Sequence, residues 1–189
     1  MLSSLKGSLS ELLKPLTKLI AKTGVNPNVL TVVGLLLGFV AAYFIAFGDR
    51  LQALLMVAAA SFFDLLDGAL ARNEGMRTAR GGFLDSVFDR YVDAALILAL
   101  GVRVNELLLA AVALVGAYMV SYTRARAEKE IERCDVGIAE RGERLIIILA
   151  GIVLSLEYYA LIALAVLSHL TAIHRVLYAY SRIKERESK

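Results

Sequence analysis

Cysteine and proline are scarce in this 189-residue sequence, which contains one cysteine and two prolines. The lone Cys134 excludes an intrachain disulfide and a structural zinc site built from several cysteines. Residues 1–22 lack the short apolar core of a signal peptide, because four lysines divide them, so we expect them to remain in the mature protein. No internal repeat or low-complexity segment stands out, and nothing points to a nucleic-acid partner.

Apolar residues are in excess, at 58% of the chain with a mean hydropathy of +0.65. Soluble proteins average about 45–50% apolar residues, so the excess predicts a membrane protein. Charged residues still make up 21% of the sequence. Charge and apolar residues must therefore be segregated along the chain, and functional sites are expected where charges enter apolar segments.

The sequence predicts an all-α integral membrane protein, a single domain over 1–189 with a six-helix transmembrane bundle over 28–182. The apolar stretches lie at 28–48, 51–71, 85–102, 105–122, 145–156 and 158–180. The fifth is short and turns at Glu157, so the last two could instead form one irregular hairpin. Residues 1–22 place leucines on one helical face, which predicts an amphipathic interfacial helix that starts or is interrupted at Pro15.

Orientation follows from the cations, since cytoplasmic connections carry the excess of lysine and arginine. With six spans, Arg50 and Arg103 lie near one side, and the other 19 of the 21 Lys and Arg residues fall toward the side of the termini. We therefore predict a multi-pass protein of the cell membrane with both termini and the active site cytoplasmic.

Five aspartates enter the second and third predicted helices. Asp64 and Asp67 share a narrow stripe with Gly68 and Ala71, and Asp85, Asp89 and Asp93 follow at four-residue intervals. In an up-down hairpin the two acidic stripes meet at one depth. Crowded carboxylates in a low-dielectric setting need a cation, and oxygen ligands suit Mg²⁺, Mn²⁺ or Ca²⁺.

An alternative is that these aspartates form structural ion pairs with Arg72, Arg77, Arg80 and Arg90. That alternative does not explain the small residues on the same face. We expect the RTARGG segment, residues 77–82, to form a cytoplasmic turn that supplies backbone amides and cations. Metal-binding carboxylates beside phosphate-binding arginines are typical of phosphoryl-transfer sites.

The motif reads Asp64-x2-Asp67-Gly68-x2-Ala71-Arg72-x8-Gly81-x3-Asp85-x3-Asp89. All eight positions match the signature of the CDP-alcohol phosphotransferases, which the chain resembles over almost its whole length. These integral membrane enzymes displace CMP from a CDP-linked substrate with an alcohol. The resemblance implies a six-helix fold, a cytoplasmic active site and a homodimer.

The resemblance also implies roles for individual residues. Asp64, Asp67, Asp85 and Asp89 would bind two divalent ions, Mg²⁺ or Mn²⁺, and Asp89 would also be the catalytic general base. The CDP-binding residues would be Gly68, Ala71, Arg72 and Gly81, together with Asn28 and Thr31. Residues 26–31 also read as a plain helix start with Asn26 as cap and Pro27 in the first turn, and both interpretations can hold.

A second polar region carries arginines at predicted helix ends. They are Arg124, Arg126, Arg141, Arg144 and Arg175. A single arginine there could merely anchor its helix to headgroups. Five together indicate an anionic pocket, and the planar guanidinium suits a phosphate monoester, so the acceptor alcohol is expected to carry a phosphate.

Residues 122–145 are similar to the phosphatidylinositol-phosphate synthase branch of the family, although Arg124 stands where that branch often has lysine. The similarity implies that the five arginines bind the phosphate of inositol 1-phosphate. Asp93 would contact inositol hydroxyls or, alternatively, pair with Arg90. The predicted donor is a CDP-lipid, either CDP-diacylglycerol or CDP-archaeol, and the sequence does not separate ester from ether lipids.

Two other functions stay open. A family member that uses glycerol 3-phosphate or serine as acceptor is the nearest alternative, and glycerol 3-phosphate needs the same anionic pocket. From a different class, a small divalent-cation transporter would also place aspartates in membrane helices. It would require polar residues through the outer halves of the second and third helices, and these are apolar.

Overall fold

The computed structural model describes residues 10–188, and the regular elements of that range are helices. They run Lys14–Lys22 (α1), Pro27–Phe47 (α2), Arg50–Asn73 (α3), Ala79–Val104 (α4), Leu107–Ala127 (α5), Arg141–Leu154 (α6) and Glu157–Glu187 (α7). Residues 10–12 form one further helical turn before α1. The all-α prediction is confirmed over this part of the chain.

Helices α2 to α7 correspond to the six predicted membrane segments. Within the described range, α2, α3, α5 and α7 are long and apolar enough to cross a membrane. Helix α4 carries the charges of the acidic stripe, and α6 has only 14 residues. Since 14 residues extend about 21 Å, α6 is shorter than the hydrocarbon core of a bilayer.

The connection between α3 and α4 differs from the prediction. Helix α4 begins at Ala79, so residues 79–82 lie in its first turn and the connecting segment is 74–78. The Thr78 hydroxyl accepts a hydrogen bond from the Gly81 backbone N–H at 3.0 Å, which satisfies an amide at the helix start. The expectation that the whole RTARGG segment is a turn is therefore wrong.

The chain divides into two compact units, and the first extends to Ala99. Its core contains Leu30, Leu66 and Leu70, against which Leu16 and Ile20 of α1 pack. Leu12 and Leu19 remain exposed, at 76% and 63%. Some apolar residues of the N-terminal segment thus pack against the protein, and others face outward. Residues 1–9 of the predicted helix lie outside the described residues.

Two glycines of α2 face its neighbours, and only the second lacks room for a side chain. A Cβ on Gly34 would lie 3.7 Å from the Ala60 carbonyl and the Asp64 backbone nitrogen of α3. A Cβ on Gly38 would lie 2.7 Å from Val92 Cγ2 of α4. A Cβ fits at Gly34 at ordinary contact distance, so Gly38 is the residue that allows α2 to pack closely against α4.

The second unit extends from Leu100 and contains α5, α6 and α7. Ala127, Cys134 and Ala179 form a buried cluster beneath the connection between α5 and α6. Ser155 adopts a left-handed conformation with φ of 58° and ends α6, so α6 and α7 are separate helices. Glu157, the first residue of α7, is buried and pairs with Arg103 at 3.0 Å.

We predict that Gly38→Ala lowers the free energy of unfolding by about 1–3 kcal/mol, the usual cost of overpacking. The added methyl meets Val92, whose branched side chain has little rotamer freedom in a helix. Thermal unfolding in detergent micelles measures the effect.

Gly82→Ala is the matched control, because a Cβ there meets nothing within 4 Å. It is expected to raise the stability by up to about 1 kcal/mol, since alanine favours a helix over glycine. Val92→Ala in the Gly38→Ala background should cost less than the sum of the two single changes. Equal effects of the two glycine substitutions would contradict the packing assignment.

Candidate active site

Three aspartates converge in the first unit. Asp64 and Asp67 of α3 and Asp85 of α4 each offer a carboxylate oxygen, and these oxygens lie within 4.8 Å of one another. Asp67 is buried at 5% exposure, whereas Asp64 and Asp85 are half-buried. The structure thus brings together three of the four predicted metal ligands.

The fourth predicted ligand, Asp89, lies one helical turn beyond Asp85 and outside that cluster. Its Oδ2 is 3.4 Å from the Arg90 guanidinium, which is an ion pair of the kind that the structural alternative predicted. Asp93, one turn further, is buried at 3% exposure. The acidic stripe of α4 therefore runs from a clustered carboxylate to a fully buried one.

The cluster has the chemistry of a site for a hard divalent ion. Its donors are all carboxylate oxygens, which Mg²⁺ and Mn²⁺ prefer. Asp67 Oδ2 is buried and has no hydrogen-bond partner in the structure. A buried anionic oxygen without a protein partner is costly, so the residues present fit a bound cation.

Two glycines of the motif lie against polar side chains that the sequence also singled out. A Cβ on Gly68 would come 3.0 Å from Arg72 Nη1, and a Cβ on Gly81 would come 2.9 Å from Asn28 Oδ1. Glycine therefore leaves room for each polar group beside the helix backbone. The first unit therefore contains two such pairs, Gly68 with Arg72 and Gly81 with Asn28.

The start of α2 fulfils its structural role. Asn26 is the N-cap and accepts a hydrogen bond from the Asn28 backbone N–H at 2.9 Å, with Pro27 in the first turn. Thr31 is buried and donates to the Pro27 carbonyl at 3.1 Å. The plain helix start is confirmed, and it leaves the Asn28 side chain beside Gly81.

Ala71 lies near the end of α3 and is half-buried. Its carbonyl accepts a hydrogen bond from the Met76 backbone N–H at 3.0 Å, which closes the end of the helix.

In the second unit, Arg175 is buried and its guanidinium donates hydrogen bonds to three acceptors. It is 2% exposed and donates to the Val136 and Val120 carbonyls, each at 2.8 Å. Its third contact is Glu140 Oε1 at 2.9 Å. Buried cations of this kind are held by several acceptors because each unmet donor is costly.

Arg124 contacts the same oxygen of Glu140, at 3.6 Å. It also pairs with Glu128 at 2.9 Å and with Asp135 at 2.7 Å. One carboxylate oxygen therefore contacts two of the predicted acceptor-binding arginines. Glu140 was not singled out from the sequence, because a list of charges along the chain does not show which of them pair.

The remaining three arginines differ from one another. Arg144 is 1% exposed and donates to the Ala139 carbonyl at 2.9 Å. Arg141 begins α6 and is half-buried. Arg126 pairs with Glu130 at 2.8 Å, is 54% exposed and does not share the Glu140 contact. Arg126 is thus more exposed to solvent than Arg124, Arg144 and Arg175.

Two groups in the connection between α5 and α6 have shifted pKa values. Burial raises the pKa of the Cys134 thiol, so it stays protonated and behaves as a small apolar side chain. A hydrogen bond from Arg126 lowers the pKa of the Glu130 carboxyl, which keeps that surface pair charged. The protonated thiol of Cys134 therefore does not have the character of a nucleophile.

Comparison with known proteins places this geometry in a family. A sequence model described as CDP-alcohol phosphatidyltransferase matches residues 24–176. A protein of Pyrococcus horikoshii named archaetidylinositol phosphate synthase is 39% identical over 97% of this chain and 99% of its own length. A protein of the same name from Methanothermobacter thermautotrophicus is 42% identical over 82% of this chain and 83% of its own length.

Solved structures of the phosphatidylinositol phosphate synthase of Mycobacterium tuberculosis share the fold. The structure with CDP-DAG bound has a TM-score of 0.80 and 29% identity, over 90% of this chain and 94% of the other. The structure with manganese and citrate has a TM-score of 0.80 and 30% identity, over 88% of each chain. The match of the family model and the identity of the relatives agree with the motif, and this chain belongs to the CDP-alcohol phosphatidyltransferase family of membrane transferases.

Proposed function

We propose that this transferase moves the phosphatidyl-type group of a CDP-linked lipid to inositol 1-phosphate and releases CMP. The observation that carries the proposal is the convergence of Asp64, Asp67 and Asp85 within 4.8 Å in the family motif. The acceptor is supported by the relatives named archaetidylinositol phosphate synthase. Membership in a transferase family leaves no support for the cation-transporter alternative.

The donor would bind through the motif of the first unit. Gly68 and Gly81 lack side chains, so the phosphates and the cytidine can approach the backbone closely. Arg72 and Asn28 lie beside these glycines and offer a cation and an amide to the same ligand. Ala71 and Thr31 complete the proposed set of residues that bind CDP.

Asp64, Asp67, Asp85 and Asp89 would hold two divalent ions, Mg²⁺ or Mn²⁺. Bound there, the ions would act as Lewis acids and would offset the negative charge that develops during transfer of the phosphoryl group. The Mycobacterium tuberculosis relative has been crystallised with manganese, which supports this choice of ion.

Asp89 would act as the general base. Its carboxylate accepts the proton of an inositol hydroxyl, the freed oxygen attacks the lipid-linked phosphorus, and the bond from that phosphorus to the CMP oxygen breaks. The products are the lipid-linked inositol phosphate and CMP.

Arginines of the second unit would bind the phosphate of the acceptor. Arg124 and Arg175 already contact one oxygen of Glu140, so their donors are spaced for a small anion. Arg144, Arg141 and Arg126 would contribute further positive charge. Asp93 would contact hydroxyls of the inositol ring.

We further propose that six helices cross the cell membrane, with both termini and the active site on the cytoplasmic side. Six crossings are an even number and would place both termini on one side, and the distribution of lysine and arginine supports the cytoplasmic side. The exposed Leu12 and Leu19 support an interfacial position for α1. A homodimer is proposed from the family resemblance alone.

Loss of one cluster carboxylate should weaken metal binding. We predict that Asp67→Asn lowers the affinity for Mn²⁺ by roughly tenfold or more, because it removes one of few anionic ligands. Isothermal titration calorimetry of the purified protein in detergent measures this. Asp93→Asn is the control on the same acidic face, and similar losses in both variants would contradict the cluster as the binding site.

The acceptor is tested by measuring CMP release from CDP-diacylglycerol and from CDP-archaeol with Mg²⁺. Inositol 1-phosphate, glycerol 3-phosphate, free inositol and serine are supplied separately. We expect the highest kcat/KM with inositol 1-phosphate. A higher kcat/KM with glycerol 3-phosphate would show that glycerol 3-phosphate, and not inositol 1-phosphate, is the acceptor. The absence of acceptor-dependent CMP release with all four compounds would contradict the enzymatic proposal.

Two arginine variants refine that assay. Arg124→Gln should raise the KM for inositol 1-phosphate by about tenfold or more, the usual effect of losing a charge-assisted hydrogen bond. Arg126→Gln should have a smaller effect, since Arg126 is exposed and pairs with Glu130. A preference for free inositol in the wild-type protein would contradict the role of the arginines.

Removal of the proposed base should stop turnover while leaving donor binding largely intact. We predict that Asp89→Asn lowers kcat by about 100-fold or more, as expected for loss of a general base. Equilibrium binding of CDP-lipid should stay within a few-fold of wild type. Turnover within a few-fold of wild type would show that Asp89 is not the base, and Mn²⁺ titration of the variant separates this role from metal binding.

A further inference from the structure

A polar network joins the N-terminal segment to the end of α3. The Ser10 hydroxyl donates to Asn73 Oδ1 at 2.9 Å, and Asn73 Nδ2 donates to the Ser10 carbonyl at 2.8 Å. Ser10 is 6% exposed although it precedes α1 in a single helical turn. This reciprocal pair fixes both the backbone and the side chain of Ser10 against α3.

The same hydroxyl reaches a residue of the signature. Arg72 Nε donates to Ser10 Oγ at 3.3 Å. Because the Ser10 proton is given to Asn73, its oxygen is oriented to accept from Arg72. The contact spans 62 residues of sequence and is invisible in the motif itself.

Holding Nε restricts the plane of the guanidinium. Its Nη1 lies beside Gly68, where an added Cβ would come within 3.0 Å. Gly68 directly follows Asp67, the buried carboxylate of the cluster. The Ser10 contact thus fixes a flexible side chain at the position where it lies beside the proposed CDP site.

The segment is held in place by contacts that do not involve Ser10. Thr17 is fully buried, donates to Glu74 Oε1 at 3.1 Å and accepts from Asn73 Nδ2 at 3.3 Å. Leu16 and Ile20 pack on the apolar core of the first unit. Loss of the Ser10 hydroxyl would therefore leave α1 docked.

We propose that Ser10 is a positioning residue that orients Arg72 toward the phosphates of the CDP-lipid. The proposal rests on the donor-binding role proposed above for Arg72. Under this proposal the N-terminal segment contributes to donor recognition. The same segment exposes Leu12 and Leu19 and hydrogen-bonds to Arg72. Arg72 is preorganised by this contact, so less conformational freedom is lost when the donor binds.

The test compares Ser10→Ala with Ser10→Thr in the CMP-release assay. Ser10→Ala is expected to raise the KM for CDP-lipid by about three- to tenfold, the range for one net hydrogen bond, and to leave the KM for the acceptor within about twofold. Ser10→Thr keeps the hydroxyl and should restore the donor KM. Leu12→Ala, at a position 76% exposed on the same turn, is the control and should change neither constant.

A double-mutant comparison separates positioning from general stability. Arg72→Met has no side-chain donor for Ser10 to accept from, so adding Ser10→Ala in that background should not raise the donor KM further. Additive effects of the two substitutions, or an unchanged donor KM in Ser10→Ala, would overturn the proposal. Thermal unfolding of each variant in detergent is expected to stay close to wild type.

Equilibrium binding of CDP-lipid without acceptor distinguishes this inference from the proposed function. Weaker donor binding by Ser10→Ala, with no turnover by the wild-type protein on any acceptor, supports the role of Ser10 and overturns the assigned reaction. Unchanged donor binding overturns the role of Ser10 whatever the turnover.

Discussion

Repulsion among three crowded carboxylates is the constraint on which the rest of the first unit depends. Asp64, Asp67 and Asp85 offer oxygens within 4.8 Å of one another. At about 5 Å and an effective dielectric constant of about 20, each pair of charges repels by roughly 3 kcal/mol. Such a cost is a large share of the stability of a small domain, and the divalent cations proposed above would offset it. The same ions would serve the pyrophosphate of the donor, so the proposal joins stability and function at one site.

Close helix packing is what allows the carboxylates and their neighbours to meet. Gly38 leaves α2 room to pack against Val92 of α4, and Gly34 faces α3 next to Asp64. Asn28 at the start of α2 consequently lies beside Gly81 at the start of α4. The glycines therefore have two physical functions. Gly38 lets two helices pack closely, and Gly68 and Gly81 of the motif leave room for a polar side chain or a ligand.

Much of the site could be predicted from sequence, because the spacing of aspartates on a helix fixes which of them share a face. The six apolar segments could also be predicted to be helices, because long apolar runs are typical of membrane helices. The start of α4 at Ala79 was missed because glycines favoured a turn, while the Thr78 hydroxyl stabilises a helix start there. The docking of Ser10 on Asn73 and the sharing of Glu140 by two arginines were also missed. These contacts join residues that are distant in the chain, and no periodic pattern encodes them.

The central claim is that metal ions in the aspartate cluster hold the phosphates of the CDP-lipid. Pulsed electron–nuclear double resonance of the Mn²⁺-loaded protein tests it most directly, since a large isotropic hyperfine coupling to phosphorus-31 arises when a phosphate oxygen coordinates the ion. We predict that adding CDP-lipid produces phosphorus-31 coupling in the wild-type protein and that Asp67→Asn abolishes it. Bound Mn²⁺ that shows no phosphorus coupling with saturating CDP-lipid, or the same coupling in Asp67→Asn, would contradict the account.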